Sequence, residues 1–241
     1  MIPTLQQGQI GRTILLGDPL WNYVILLVQG GGITDQSSYA HALTNSGTTA
    51  DVTNTDVPGG KTIGVVGYYG TVGISIAVGA EFNIGNNARC YEFFIKPATG
   101  SRVKGSQIVF NDAYGFNGNI VFLSYLTGKL AIRYASTYDR IAPVGCSAIA
   151  ENETWFCAVQ IYADDTVKFW TGKVSDGVAN GALHADSVIH PGEDVAAGPY
   201  IGYVGGVGAD NDYQLGPYRI TTGVRYTADT INIPTALFPI G

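Results

Sequence analysis

Apolar residues recur along this chain in short runs bounded by glycine, proline and aspartate. The first run is Tyr23-Val24-Ile25-Leu26-Leu27-Val28, ended by Gly30, Gly31 and Gly32. Unbroken apolar character of this kind predicts a strand buried on both faces. Residues 33–61 are polar and weakly periodic, which predicts short edge strands and loops. Further strands are predicted at 63–69, 73–78 and 90–96. Within the last, Tyr91, Phe93 and Ile95 alternate with Glu92, Phe94 and Lys96, and Pro97 stops the run. Strands at 106–110, 119–126 and 129–135 follow, the last two divided by a Thr127-Gly128 turn. Trp155 to Tyr162 and Thr166 to Trp170 flank an Asp164-Asp165 turn, and 173–197 reads as a long loop with at most a short helix. Tyr200 to Tyr203 and Leu215 to Thr221 complete the set. About a dozen short strands with regular turn signals predict an all-β sandwich or barrel. Trp155, Val159 and Ile161, with Tyr91, Phe93 and Ile95, are the expected core between its sheets.

Composition reinforces the strand reading. The 241 residues include 33 glycines, and charged residues make up only 13%. Glycine is costly within helices, and the charged helix formers are scarce. A hydrophobic content of 46% excludes disorder. The uncharged stretch Thr62 to Ala80 has the length of a membrane span. Its glycines at 64, 67, 70, 73 and 79 favour two short strands around a glycine turn instead. Thirteen basic against 19 acidic residues, with no basic run, leave no footprint for nucleic acid. Low charge implies surface covered by other subunits, so a homo-oligomer is expected. The N-terminus lacks the basic and apolar regions of a secretory signal. Cys90, Cys146 and Cys157 lack disulfide or zinc spacing and read as reduced, partly buried thiols. No cofactor and no membrane role is expected.

Residues 1–18 contain three glycines and cannot form a core alone. Ile2, Leu5, Ile10, Ile14, Leu15 and Leu16 give them apolar anchors. They are expected to form an extended N-terminal arm for assembly or attachment, followed by one sandwich domain over 19–241.

Several stretches, taken in order, carry a resemblance. They are Asp18-Pro19-Leu20-Trp21-Asn22-Tyr23-Val24-Ile25-Leu26-Leu27, then Asp35, Ser38, His41 and Gly47, then Ile63-Gly64 with Tyr68-Tyr69-Gly70. Tyr91-Glu92-Phe93-Phe94-Ile95-Lys96-Pro97, Thr154-Trp155-Phe156 and Tyr200-Ile201-Gly202 continue the order. Tyr218-Arg219-Ile220-Thr221-Thr222-Gly223-Val224-Arg225-Tyr226-Thr227 then runs into Ile233-Pro234-Thr235-Ala236-Leu237-Phe238-Pro239. Together they resemble the laminin-G-like, concanavalin A-like domains of tailed-phage structural proteins over about residues 18–239. The resemblance implies a two-sheet antiparallel jelly-roll sandwich with its first and last strands in one sheet. It implies a glycine-rich hairpin at 63–70, and a virion component made without a signal peptide, partnered by other virion proteins. Gly216-Pro217 stands where the family often has an acidic pair, and Cys157 where a His commonly follows the Trp-aromatic pair.

This sandwich hosts binding, hydrolytic and purely structural proteins, so the fold leaves function open. Glycoside hydrolysis takes two carboxylates across the bond. The chain has no Glu-x-Asp-x-x-Glu strand, and the acidic Glu151-Asn152-Glu153 sits in a turn. No Gly-x-Ser-x-Gly elbow accompanies the histidines, and His41 reads as a satisfied loop residue. A non-enzymatic virion structural protein is expected, a head decoration, fibre or tail component, with a carbohydrate-binding adhesin or receptor-binding module as the alternative and a polysaccharide depolymerase the weaker one. Aromatic faces beside amides and carboxylates suit a host surface glycan. The candidates are Tyr114 and Phe116 near Asn111 and Asp112, and Tyr134 and Tyr138 near Asp139. His184, Asp186 and His190, with Glu193 and Asp194, are metal-ligand types within one loop, although their spacing is not diagnostic. Asp210-Asn211-Asp212 is too small a set for calcium and reads as a turn. Glu92, Trp155 and Arg219 are expected to be structural, Arg219 pinning the C-terminal tail through a carboxylate or carbonyls.

Overall fold

The computed structural model describes residues 18–240 apart from 19, 30–31, 46–48, 68–72, 78, 83–86, 102–106, 112–118, 125–126, 135–137, 185–198 and 203–210. β1 (Val24–Val28) is followed by β2 (Leu43–Asn45) and β3 (Thr49–Thr53), the short strands expected of the polar region before residue 61. β4 (Lys61–Gly67), β5 (Ile74–Ile76) and β6 (Arg89–Pro97) come next, then β7 (Gln107–Asn111), β8 (Asn119–Leu123), β9 (Leu130–Tyr134) and β10 (Tyr138–Ile141). The chain continues through β11 (Trp155–Ile161), β12 (Val167–Lys173), β13 (Val178–Leu183) and β14 (Tyr200–Ile201), and closes with β15 (Asn211–Thr222) and β16 (Thr230–Asn232).

These strands form two antiparallel sheets. The nine-stranded sheet runs β16-β13-β12-β11-β6-β15-β4-β3, with β1 also beside β15. The first and last strands therefore share this sheet. The seven-stranded sheet runs β10-β9-β8-β7-β14-β5-β2. β15 is long enough to take β4 along 211–215 and β1 along 218–221, with β6 on its other side. Its register against β6 shifts between Leu215 and Tyr218, where Gly216 and Pro217 form an irregularity. Proline has no N–H to give a ladder, and a Cβ on Gly216 would approach Phe94 Cβ to 2.7 Å.

Two expectations are corrected. The 173–197 segment is not simply a loop, because 178–183 form β13 between β12 and β16. Its sequence, Val-Ala-Asn-Gly-Ala-Leu, lacks a β-branched or aromatic run, so propensity conceals the strand. Gly181 is used for close packing, since a Cβ there would overlap the Trp170 indole. The strands on either side of the glycine-rich stretch, β4 and β5, are not hairpin partners. β4 pairs with β3 and β15, whereas β5 pairs with β2 and β14 in the other sheet.

The inner core lies between the sheets. Tyr91, Phe93, Ile95, Trp155, Val159 and Ile161 from the larger sheet share one cluster with Ile74, Val109, Phe110, Val121, Ile132 and Ile201 from the smaller. Phe110 touches Tyr91 at 5.3 Å and Tyr218 at 6.0 Å between ring centroids, joining the two layers. A second cluster covers the opposite face of the larger sheet. There Val24, Leu27, Phe94, Phe156 and Trp170 meet Ile231, Ile233 and Phe238 of the C-terminal tail. Both sides of β1, β6 and β11 are thus buried, which explains the unbroken apolar run at 24–28.

Side chains of the sheet also hold the tail by its backbone. Gln160 donates to Gly223 O at 3.1 Å and accepts from Arg225 N at 3.0 Å. Tyr162, Lys168 and Trp170 donate to the carbonyls of Tyr226, Thr227 and Ala228 at 3.1, 3.0 and 3.0 Å. Gln29 bonds both backbone groups of Phe238, at 2.9 and 2.8 Å. These bonds satisfy polar groups that burial would otherwise leave unpaired.

Candidate functional site

Arg219 and Glu92 lie opposite each other on β15 and β6 and project to the tail side of the sheet. The Arg219 guanidinium donates to Glu92 Oε2 and Oε1, and to Asp18 Oδ2, each at 2.7 Å. Arg225 reaches the same two carboxylates, donating to Asp18 Oδ2 and standing 3.1 Å from Glu92 Oε2. Tyr226 donates to Glu92 Oε1 at 2.5 Å, and the Phe238 ring lies 4.0 Å from the Arg219 guanidinium carbon. Burial works against ionisation of Asp18, yet the Arg225 hydrogen bond and both cations carry its pKa below the ordinary carboxylate value. Burial first, and then the Glu92 charge, push the Tyr226 hydroxyl far above its usual range. Two carboxylates neutralised by two arginines form a buried clamp, with neither an open face nor a base free for chemistry. Asp18, counted with the arm in the sequence, is buried in this body.

Asp35 anchors the chain beyond β1 in the same internal manner. Its carboxylate accepts from Leu27 N, Ser37 N, Ser37 Oγ and His41 N at 2.8 to 2.9 Å. His41 Nε2 is 3.0 Å from Ile25 O and 3.0 Å from Glu81 Oε1, with its ring between Tyr39 and Phe82. The three cysteines are free and buried, and burial raises each thiol pKa, so none is a ready thiolate.

An open cleft of about 260 Å³ lies at the edge of the tail's cover, between the turn after β3, the turn after β12 and residues 233–235. The first wall is Thr55-Asp56-Val57-Pro58-Gly59. It is folded by Asn54, whose backbone N–H donates to Gly60 O at 3.1 Å and whose Oδ1 accepts from Asp56 N at 3.1 Å. Gly59 and Gly60 have φ of 78° and 66°, the left-handed region that glycine adopts without strain. The second wall is Val174 and Gly177, where φ of 73° turns the chain into β13. Ile233 N donates to Gly177 O at 3.0 Å, fixing the third wall to the second. Asp56 Oδ2 accepts from Thr154 Oγ1 at 2.9 Å and lies 4.0 Å from Lys96 Nζ. Behind it, Asn54, Thr62 and Gln214 are joined by hydrogen bonds of 3.2 and 3.3 Å to Gln214 Oε1. Among the described residues, the lining carries one carboxylate beside apolar and hydroxyl groups.

Among the described residues, none of the sequence-nominated glycan or metal positions lines this cleft. Tyr134 ends β9 and is the register partner of Tyr138, which opens β10. Asn111 ends β7 opposite Ile120 and Tyr200, while Asn119 pairs with Tyr134. These backbone positions gather at one end of the smaller sheet. Asp112, Tyr114 and Phe116 lie outside the described residues, as do Asp186 and His190 of the metal set and Ile2, Leu5, Ile10, Ile14, Leu15 and Leu16 of the arm. His184 follows β13 and donates its backbone N–H to Val167 O at 2.8 Å. Among the described residues, no three His, Cys, Asp or Glu gather as metal ligands, and no helix is long and apolar enough to cross a membrane. The Asp56 cleft escapes sequence reading because its walls are far apart in the chain. The Asp-Val-Pro-Gly-Gly turn is its one local signal.

No family model and no curated protein matches the sequence. Solved structures do match the fold. The botulinum neurotoxin serotype D binding domain aligns with a TM-score of 0.60 and 12% identity, over 88% of this chain and 51% of that one. The binding domain of Paraclostridial Mosquitocidal Protein 1 gives 0.59 and 14%, over 86% and 50%. A botulinum neurotoxin type C structure, whose cell entry is described as dependent on interaction with two ganglioside molecules, gives 0.58 and 10%, over 86% and 49%. The chain spans about half the length of these structures, and at such identities the likeness is one of fold: an all-β body of two antiparallel sheets shared with toxin binding domains.

Proposed function

We propose that this chain is a non-enzymatic, carbohydrate-binding jelly-roll module of the concanavalin A-like kind, carried on a virion. The observation that carries the binding reading is the match of most of the chain to toxin binding domains, one of them described with two ganglioside molecules. The Asp56 cleft supports binding over hydrolysis, since its lining supplies one carboxylate where glycoside cleavage takes a flanking pair. The arginine–carboxylate clamp supports a structural role for Glu92 and Arg219. The virion setting is supported by the ordered sequence resemblance to tailed-phage structural domains over residues 18–239. In that setting the module is a head decoration, fibre or tail component. Residues 1–17 serve as the attachment arm, and partners include further copies and other virion proteins.

A glycan array probed with the purified protein tests the binding reading. Retention on host-type polysaccharides is expected, and no binding at about millimolar glycan removes it. Mass spectrometry of purified virions tests the setting, through a defined copy number of this chain per particle.

A further inference from the structure

We propose that the cleft beside Asp56 seats a single neutral sugar residue, whose hydroxyls donate to the Asp56 carboxylate. The inference rests on the glycan-binding reading above and assigns it a place and a ligand class. Asp56 is aimed by its neighbours: the Thr154 hydroxyl holds Oδ2 at 2.9 Å, and Asn54 fixes the backbone N–H at 3.1 Å. Its side chain is nevertheless 53% exposed. An ionised carboxylate has about four acceptor sites and no donor. A partner for the remaining sites must bring hydroxyl or amide hydrogens. Thr55 and Thr235 add exposed hydroxyls at the same mouth, each able to donate or accept.

The apolar part of the lining completes the match. Val57, Pro58 and Ile233 are buried, with Val174 and Pro234 half-buried beside them. A pyranose has polar edges and C–H faces, so it can meet both kinds of surface. The volume, about 260 Å³, falls below the ~300–1,000 Å³ of ordinary small-molecule pockets, which fits one residue of a chain rather than an oligosaccharide. The walls are set in advance by the Ile233–Gly177 bond and by Leu237, which a Cβ on Gly59 would approach to 2.8 Å. Prior ordering lowers the cost of binding. Charge decides between sugar classes. Lys96 already stands beside Asp56 at 4.0 Å, and the chain carries a net charge of −6. A carboxylated sugar would place a second anion against Asp56, so neutral sugars are favoured.

The test titrates the full chain, by ligand-observed NMR, with methyl glycosides of glucose, galactose, mannose and N-acetylglucosamine, and with sialyllactose beside lactose. At least one neutral glycoside should bind in the ~mM range, and sialyllactose no better than lactose. Asp56→Asn should weaken that binding about tenfold. Thr235→Met, which places a thioether in the mouth, should abolish it, with thermal unfolding of both variants unchanged. Neutral-sugar binding that survives both variants, or clear preference for sialyllactose, overturns this site while leaving glycan binding intact. If no glycoside and no array glycan binds the wild type, the glycan-binding reading falls, and the site with it.

Discussion

Arg219 and Glu92 are direct cross-strand partners on β15 and β6, and the guanidinium of one closes on both carboxylate oxygens of the other at 2.7 Å. Removing one member of a buried ion pair strands the charge of the other. Arg219→Ala should therefore lower stability by about 3–5 kcal/mol. Arg219→Lys should recover only part, because an ammonium cannot span Glu92 and Asp18 in one planar fork. Denaturant unfolding of the two variants measures both effects. Loss of glycan binding by Arg219→Ala at unchanged stability would contradict the structural role of this pair.

Acid should loosen the same clamp. The Asp18 pKa is held below the ordinary carboxylate value in the folded chain. Its contribution to stability is full above the unfolded value, near ~4, and is lost as pH falls through the lower folded value. The unfolding midpoint of Asp18→Asn should therefore depend less on pH than that of the wild type below about pH 4. Parallel midpoint-against-pH curves would refute this coupling.

Phe93 has no solvent exposure and lies 5.9 Å from Tyr218 between ring centroids. Phe93→Ala should cost about 3–5 kcal/mol by equilibrium unfolding. A cost below about 1 kcal/mol would mean that the side chain is not packed between the sheets.

The C-terminal tail should behave as part of the body. Ending the chain at Thr222 removes Ile231, Ile233 and Phe238 from the outer cluster and takes the tail carbonyls away from Gln160, Lys168 and Trp170. Truncation should abolish cooperative thermal unfolding. A truncated chain with a sharp transition at the original temperature would contradict the role given to the tail.

Deletion of residues 1–17 should spare the fold, because Asp18 and its arginine partners remain. Circular dichroism should report an intact β body, whereas incorporation into particles should fail. Normal incorporation would remove the arm as the attachment element, and a chain that does not fold would place the arm in the core.

Much of the layering is readable from sequence. Tyr91, Phe93 and Ile95 alternate with Glu92 and Phe94, and this period of two separates the inner core from the tail side. The need of Arg219 for a carboxylate is readable from its place between apolar strand neighbours. Its partners are less so: Glu92 lies 127 residues away and Asp18 lies 201 residues away, and local pattern carries no register. β13 is hidden because its glycine serves the Trp170 ring rather than a turn. The Asp56 cleft is hidden for a similar reason, since three separate turns meet only once the tail has crossed the sheet. The aromatic criterion for glycan positions points to the smaller sheet, whereas the described lining of the Asp56 cleft holds no aromatic residue.

Incubation of the purified chain with host surface polysaccharide, followed by assay of both sedimented protein and new reducing ends, tests the central claim most directly. A non-enzymatic glycan-binding module should co-sediment with the polysaccharide and leave the reducing ends at the level of the untreated sample. Reducing ends that accumulate with time and protein would show a depolymerase. Protein that stays in solution with every polysaccharide would contradict glycan binding itself.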